Sequence, residues 1–228
     1  MTDPLRLVIF DVDGTLVDSQ GDIVAAMTVA FQDVDQPVPD RATILSIVGL
    51  SLDHAMARLA ADRSAATQAR MVEGYKNAYV NLRAKTGAAD SSPLYPGARE
   101  ALEFFKRQDN LLLGVATGKS RRGLDKLLEA HDLEHMFVTQ QVSDHHPSKP
   151  HPSMIETALA ETGVETQNAV MVGDTSYDMD MALAAHVSAI GVGWGYHDVS
   201  LLSSANRIVS TFAELPDAVA GAWKATAA

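Results

Sequence analysis

The sequence predicts an α/β protein, a doubly wound parallel sheet core carrying an inserted helical domain. Three observations carry this reading. Short apolar runs rich in Val, Ile and Leu recur along the chain, and each stops at Asp, Thr or Gly. Segments with apolar residues at helical spacing separate these runs, and such alternation builds a parallel sheet with helices on both faces. One long stretch, residues 18–93, has helical spacing but no strand-like run. The 228 residues suffice for one large domain or a core with a small companion, and 46% apolar with 21% charged residues suits a chain with a real core.

Taken in order, the first strand is Leu5–Phe10, ending at Asp11-Val-Asp-Gly-Thr15. The insertion follows, with Ile23, Met27, Ala30 and Phe31, then Met56, Leu59 and Ala60, at helical spacing; Pro37 and Pro39 interrupt it. Residues 87–93 read as a linker returning to the core. Pro96-Gly97 leads into a helix with Ala98, Ala101, Leu102 and Phe105 inward. The second strand, Leu111–Ala116, ends at Thr117-Gly118. Ser120 caps a helix bearing Leu124, Leu127 and Leu128. A weaker strand, Met136–Thr139, is followed by a helix that starts near Pro152 and stops at Gly163. The strand Ala169–Val172 meets Gly173-Asp174, with Met179, Ala182 and Leu183 inward on the next helix. Ser188–Val192 and Arg207–Val209 complete the strands.

Charge and composition exclude several functions. Lys plus Arg number 18 against 29 Asp plus Glu, a net charge of −11, which disfavours a broad nucleic-acid surface. The absence of Cys removes disulfides, Cys-ligated zinc, iron–sulfur clusters and thiol catalysis. No apolar run approaches the roughly 20 residues of a membrane helix. The opening residues do not read as a signal peptide, because Asp11 and Asp13 break the apolar run, so a cytoplasmic location without membrane partners is the expectation.

Polar residues gather where strands end, and open parallel sheets bind ligands beyond the carboxyl ends of their strands. Asp11 and Asp13 follow the first strand, Thr117 closes the second, Lys149 lies in the loop after the third, and Asp174 and Asp178 follow the fourth. Carboxylates gathered at one rim repel unless a hard cation neutralises them, and an all-oxygen set favours Mg²⁺. Such a site suits phosphate chemistry: one carboxylate attacks phosphorus and a second moves the proton.

Asp11-Val-Asp-Gly-Thr-Leu-Val-Asp-Ser19 resembles the first motif of the haloacid dehalogenase-like superfamily. Ala116-Thr117-Gly118-Lys119, Ser148-Lys149-Pro150-His151-Pro152 and Gly173-Asp174-Thr175-Ser-Tyr-Asp178 follow in the family's order. The resemblance covers the whole chain and is closest to the subfamily with a helical cap, which includes phosphoglycolate phosphatase-like enzymes. It implies a Rossmann-like catalytic core at 1–17 and 94–228 and a cap at 18–93. It also implies a Mg²⁺-dependent phosphatase of a small phosphorylated metabolite; the sequence leaves the oligomeric state open between monomer and homodimer. Asp11 is then the nucleophile and Asp13 the general acid/base. Thr117, Gly118 and Lys149 hold the phosphate. Asp11, the Asp13 carbonyl and Asp174 hold the metal, with Asp178 beside it or reaching it through water.

Alternatives stay open. Asp13 argues against a dehalogenase, which carries an aromatic residue there. A phosphonoacetaldehyde hydrolase would need a cap lysine, and only Lys76 and Lys85 are available. Ile23 stands about where a β-phosphoglucomutase has His. Pyrophosphatase, nucleotidase and a non-enzymatic phospho-acceptor module are further readings, the last separable by turnover. Ala184-Ala-His186 stands where the family often has Gly, and a left-handed residue there suits His better than a bulky apolar side chain. His145, His146 and His151 read as a polar surface loop rather than a metal site. Asp178 also fits a helix cap. Tyr75, Tyr79 and Arg83 share a helix face, with cap packing the first reason and substrate contact the second. Gly49–Leu52 is either a substrate loop or an ordinary turn.

Overall fold

The computed structural model describes residues 4–226. Six parallel strands form one sheet in the order β3-β2-β1-β4-β5-β6: β1 (Arg6–Phe10), β2 (Leu111–Thr117), β3 (Thr139–Val142), β4 (Ala169–Gly173), β5 (Ser188–Val192) and β6 (Arg207–Val209). The order reverses at β1, which pairs with β2 on one side and β4 on the other, so the crevice for a ligand opens at the carboxyl ends of β1 and β4.

Between β1 and the first sheet-packed helix lie five helices, α1 (Gln20–Gln32), α2 (Arg41–Leu45), α3 (Leu52–Leu59), α4 (Ala65–Thr86) and the single turn α5 (Ala88–Ser91). The first four share an apolar cluster built on Ile23, Met27, Phe31, Ile44, Met56 and Met71, separate from the two clusters on the sheet. The sheet's own helices are α6 (Ala98–Lys106), α7 (Arg121–Ala130), α8 (Ser153–Thr162), α9 (Ser176–Ala184) and α10 (Leu215–Thr226). Strand alternation divides them. Val8 and Phe10 point to the face covered by α6, α7 and α10, where they meet Leu102, Phe105, Leu124 and Trp223. Leu7 and Ile9 point to the face covered by α8 and α9, with Met154, Ile155, Met179 and Met181. Complete burial of each such side chain contributes roughly 1.5–3 kcal/mol.

Four local expectations need correction or completion. The third strand is Thr139–Val142, not Met136–Thr139: Phe137 is a buried anchor in the preceding turn, while Thr139 and Gln141, polar and buried, both bond Glu161 of α8. The segment read as a linker contains α5. Leu183 is exposed, because α9 turns Met179, Met181 and Ala182 inward instead. His186 follows α9 in the left-handed conformation, with φ of 58°, as the sequence suggested.

Candidate active site

β1 ends at Asp11 and passes into a tight turn whose Gly14 has φ of +84°. A Cβ at Gly14 would lie 2.2 Å from Asp174 Oδ2, and one at Gly195 would lie 2.0 Å from Asp174 Cβ. Side chains are thus excluded at both positions by the carboxylate they enclose. Asp174 follows β4 directly. Its Oδ1 accepts from Thr15 Oγ1 (2.8 Å) and its Oδ2 from the Tyr196 backbone N–H (2.8 Å). Trp194 Nε1 donates to the Thr15 carbonyl (3.1 Å), tying the loop after β5 to the first turn.

Three carboxylates, those of Asp11, Asp174 and Asp178, converge so that one oxygen of each lies within 4.8 Å of the others, and all three are buried. Lys149, itself 2% exposed, sits between two of them, with Nζ 2.9 Å from Asp11 Oδ1 and 2.7 Å from Asp178 Oδ1. The Lys149–Pro150 peptide is cis. Asp178 closes a capping box on α9, accepting at Oδ2 from Thr175 Oγ1 (2.7 Å) and Thr175 N (3.1 Å). Helix cap and cluster member therefore both describe Asp178.

The cluster is short of positive charge. With all three ionised, three carboxylates against one ammonium would leave two negative charges in a buried cluster. Burial pushes the Asp11 carboxyl up to about 7; Lys149 opposes this and the Asp178 charge adds to it. Asp174 is pushed well above the ordinary carboxylate range by burial, then by Asp11 and Asp178. Burial alone would pull Lys149 down, but Asp11 and Asp178 more than reverse this and keep it protonated. Asp11 Oδ2 is buried without a hydrogen-bond partner. An all-oxygen donor set, two carboxyls pushed up for want of positive charge and an orphaned carboxylate oxygen fit a hard divalent cation.

Asp13 belongs to a different neighbourhood. Its Oδ1 accepts from Lys119 Nζ (2.6 Å) and, in a short contact, from Ser19 Oγ. Lys119 Nζ also reaches Tyr79 OH of α4 (3.3 Å), so the carboxylate is tied to the helical insertion. Asp11, Asp13, Thr117, Gly118 and Lys119 all line one cavity of about 810 Å³ between the sheet rim and the insertion. Thr117 is buried, and its Oγ1 accepts from Lys119 N (3.2 Å).

The structure thus brings Asp11, Lys149, Asp174 and Asp178 into direct contact range and places Asp13, Thr117 and Gly118 along the adjoining cavity. Several supporting residues were not singled out by sequence reasoning. Lys119 and Ser19 stood inside the quoted motifs, but nothing in their spacing said that both would grip Asp13. Tyr196, whose OH accepts from Ser19 N (2.9 Å), comes from a distant loop with no local signal. The Gly49–Leu52 segment proves to be cavity wall: Ser51 N donates to Ser148 Oγ (2.9 Å) beside Lys149. Tyr75, Tyr79 and Arg83 both pack within the insertion and line the cavity. His146 bonds Gln141 Oε1 (2.9 Å) and Ser153 Oγ (2.8 Å), and among the described residues no histidine joins a metal-ligating group.

Residues 8–192 match the haloacid dehalogenase-like hydrolase family. The chain belongs to that family. It is 36% identical over 213 residues to a probable phosphatase of Dickeya dadantii (strain 3937), covering 92% of this chain and 91% of the relative. It is 34% identical over 216 residues to a phosphoglycolate phosphatase of Chromobacterium violaceum, covering 93% and 96%. Among solved structures, a hydrolase from Pseudomonas syringae superposes with a TM-score of 0.83 at 25% identity, over 96% of this chain and 99% of that one. The placement of this family member's strand-end aspartates at the β1/β4 switch point follows from the sheet order described above.

Proposed function

We propose that this chain is a Mg²⁺-dependent phosphatase that hydrolyses a phosphate monoester of a small metabolite through an aspartyl phosphate on Asp11. The observation that carries the reading is the pair of aspartates two residues apart in unlike surroundings. Asp11 is buried with Oδ2 unpartnered and Lys149 on Oδ1, whereas Asp13 faces the cavity and is held by Lys119 and Ser19. The names of the relatives, phosphatases and phosphoglycolate phosphatases, support the same class.

In the first step an Asp11 oxygen forms a bond to phosphorus while the ester P–O bond breaks, and Asp13 gives its proton to the leaving oxygen. In the second, Asp13 takes a proton from water, the water oxygen bonds phosphorus, and the Asp11–phosphorus bond breaks. Lys149, Thr117 and the Gly118 backbone hold the phosphoryl oxygens through both steps. Asp11, the Asp13 carbonyl and Asp174, with Asp178 beside them, would hold a Mg²⁺, which would supply the positive charge that an anionic ester needs to approach this cluster. The insertion covers the reacting groups and excludes bulk water.

The test is phosphate release over many turnovers from p-nitrophenyl phosphate and a panel including 2-phosphoglycolate, sugar phosphates, mononucleotides and pyrophosphate. Turnover should need Mg²⁺ and cease with EDTA. Asp11→Asn should abolish it and leave no covalent phosphoprotein by mass spectrometry. Retained turnover in Asp11→Asn would move the nucleophile elsewhere, and a single phosphorylation without turnover would indicate a phospho-acceptor module instead.

A further inference from the structure

The cavity is poorly matched to a two-carbon acid. Its volume of about 810 Å³ lies toward the upper end of the roughly 300–1,000 Å³ that encloses drug-sized ligands. The insertion contributes an apolar wall of Ile23, Met27, Ile47, Val48 and Val80, while the opposite rim, with Arg122, Lys126, Asp144 and His146, is polar. A small polar ester would leave that apolar wall facing water, and the phosphate-holding residues alone would orient it.

Of the two cations that the insertion brings to the cavity, Lys76 and Arg83, the second is incompletely used. Arg83, on α4, lines the cavity, and its guanidinium lies 5.3 Å from the centre of the Tyr79 ring. Its Nη2 makes only long contacts, 3.5 Å to the Ala88 carbonyl and 3.4 Å to Ser92 Oγ, while Nε is buried with no partner. A guanidinium has five donors, and a buried donor left unpaired is costly. By contrast, the neighbouring Lys119 is satisfied by Asp13 and Tyr79, and Lys76 by Glu73 (2.9 Å). The stacked pair Tyr75–Tyr79, with centroids 5.7 Å apart, stiffens the platform on which Arg83 rests.

Resting on the phosphatase reading, we infer that the preferred substrate is a phosphate monoester of a bulky, mainly apolar or aromatic alcohol, bearing at its far end a carboxylate that Arg83 receives. The phosphate enters at Asp11, the apolar body lies against the insertion, and the distal anion completes the Arg83 donors. Arg83 is a specificity residue in this scheme and takes no part in bond making.

A matched series tests this: 2-phosphoglycolate, 2-naphthyl phosphate and 6-carboxy-2-naphthyl phosphate, each with Mg²⁺. The expected kcat/KM rises in that order, with the carboxylate adding at least tenfold, as a charge-assisted hydrogen bond does. In Arg83→Met the ratio of the two naphthyl esters should fall to within threefold of one, chiefly through KM; Arg83→Lys should restore part of it. Binding gives a readout independent of turnover. The phosphate-free product 6-hydroxy-2-naphthoate should quench or shift protein fluorescence at least tenfold more tightly in wild type than in Arg83→Met. If small esters turn over but 2-phosphoglycolate is preferred, or Arg83→Met weakens both naphthyl esters equally, the inference falls and the phosphatase reading stands. If no ester turns over but the hydroxynaphthoate binds in an Arg83-dependent way, the phosphatase reading falls and the pocket assignment survives.

Discussion

Two carboxylates separated by one residue are given different work by their neighbours. Asp11 is enclosed with other acids and one lysine; Asp13 is gripped by Lys119 and Ser19 at the cavity wall. Asp13→Asn keeps the shape and the backbone carbonyl but removes the proton. Loss of a general acid/base costs typically ~10²–10⁴-fold. An alkoxide needs that proton and p-nitrophenolate hardly does, so the variant should lose far more activity on an alkyl phosphate than in the first step with p-nitrophenyl phosphate. Phospho-Asp11 should then accumulate and be visible by mass spectrometry. Equal loss on both esters would remove Asp13 from proton transfer. The Asp11 carboxyl, pushed up to about 7 without a cation, makes a second prediction. A cation needs the ionised form, so binding expels a proton. Mg²⁺ affinity, measured calorimetrically between pH 6 and 8, should fall as pH drops through about 7, by tenfold or more per unit below it, since Asp174 is pushed up as well. A flat profile would show that Asp11 is already ionised in the metal-free protein.

At the scale of elements, the site depends on close approach between the loop after β2 and the loop before α3. A Cβ on Gly118 would lie 2.6 Å from the Leu50 carbonyl oxygen and 2.7 Å from that of Gly49, both backbone atoms that cannot swing away. Gly118→Ala should displace the Gly49–Leu52 wall while leaving the sheet intact. A displacement near 1 Å can cost about 10²-fold in turnover, so kcat/KM should fall by at least tenfold with the melting temperature nearly unchanged. Wild-type kinetics in this variant would mean the loop does not position substrate. The same contact shows what was legible in the sequence. The strands that carry Asp11, Thr117 and Asp174 announced themselves as apolar runs with abrupt polar ends, because both faces of each are buried. β3 did not, because its buried Thr139 and Gln141 are satisfied by Glu161 rather than by apolar neighbours. The grips on Asp13 by Lys119 and of Asp174 by the Tyr196 N–H join residues more than 20 apart in sequence, and no local pattern encodes such pairings.

At the scale of the whole molecule, the helical insertion hangs from the core by two strands of chain that run side by side. Tyr95 N donates to the Leu16 carbonyl (3.0 Å), Asp18 N donates to the Pro93 carbonyl (2.9 Å), and Val17 bridges Leu94 in antiparallel fashion. Entry and exit are therefore already joined on the core side, and a short Gly/Ser link can replace residues 21–91 without pulling β1 from β2. Among the described residues, the sheet's two apolar clusters contain none from the insertion, so their side chains stay together after the excision. What is lost is the cavity wall, the Tyr79 contact to Lys119 and the seat where Tyr177 OH and His197 Nε2 donate to the Ser46 carbonyl. The excised core should fold cooperatively, as circular dichroism and thermal melting would show. It should retain slow hydrolysis of p-nitrophenyl phosphate, since Asp11, Lys149, Asp174 and Asp178 all lie outside the insertion. Its discrimination among phosphate esters should collapse toward unity, because the insertion's side of the cavity is gone while Asp11, Thr117 and Lys149 remain. An unchanged substrate profile would place specificity in the core loops, and a core that fails to fold would show that the insertion's contacts at Ser46 and Tyr79 are needed to hold the sheet's carboxyl rim together.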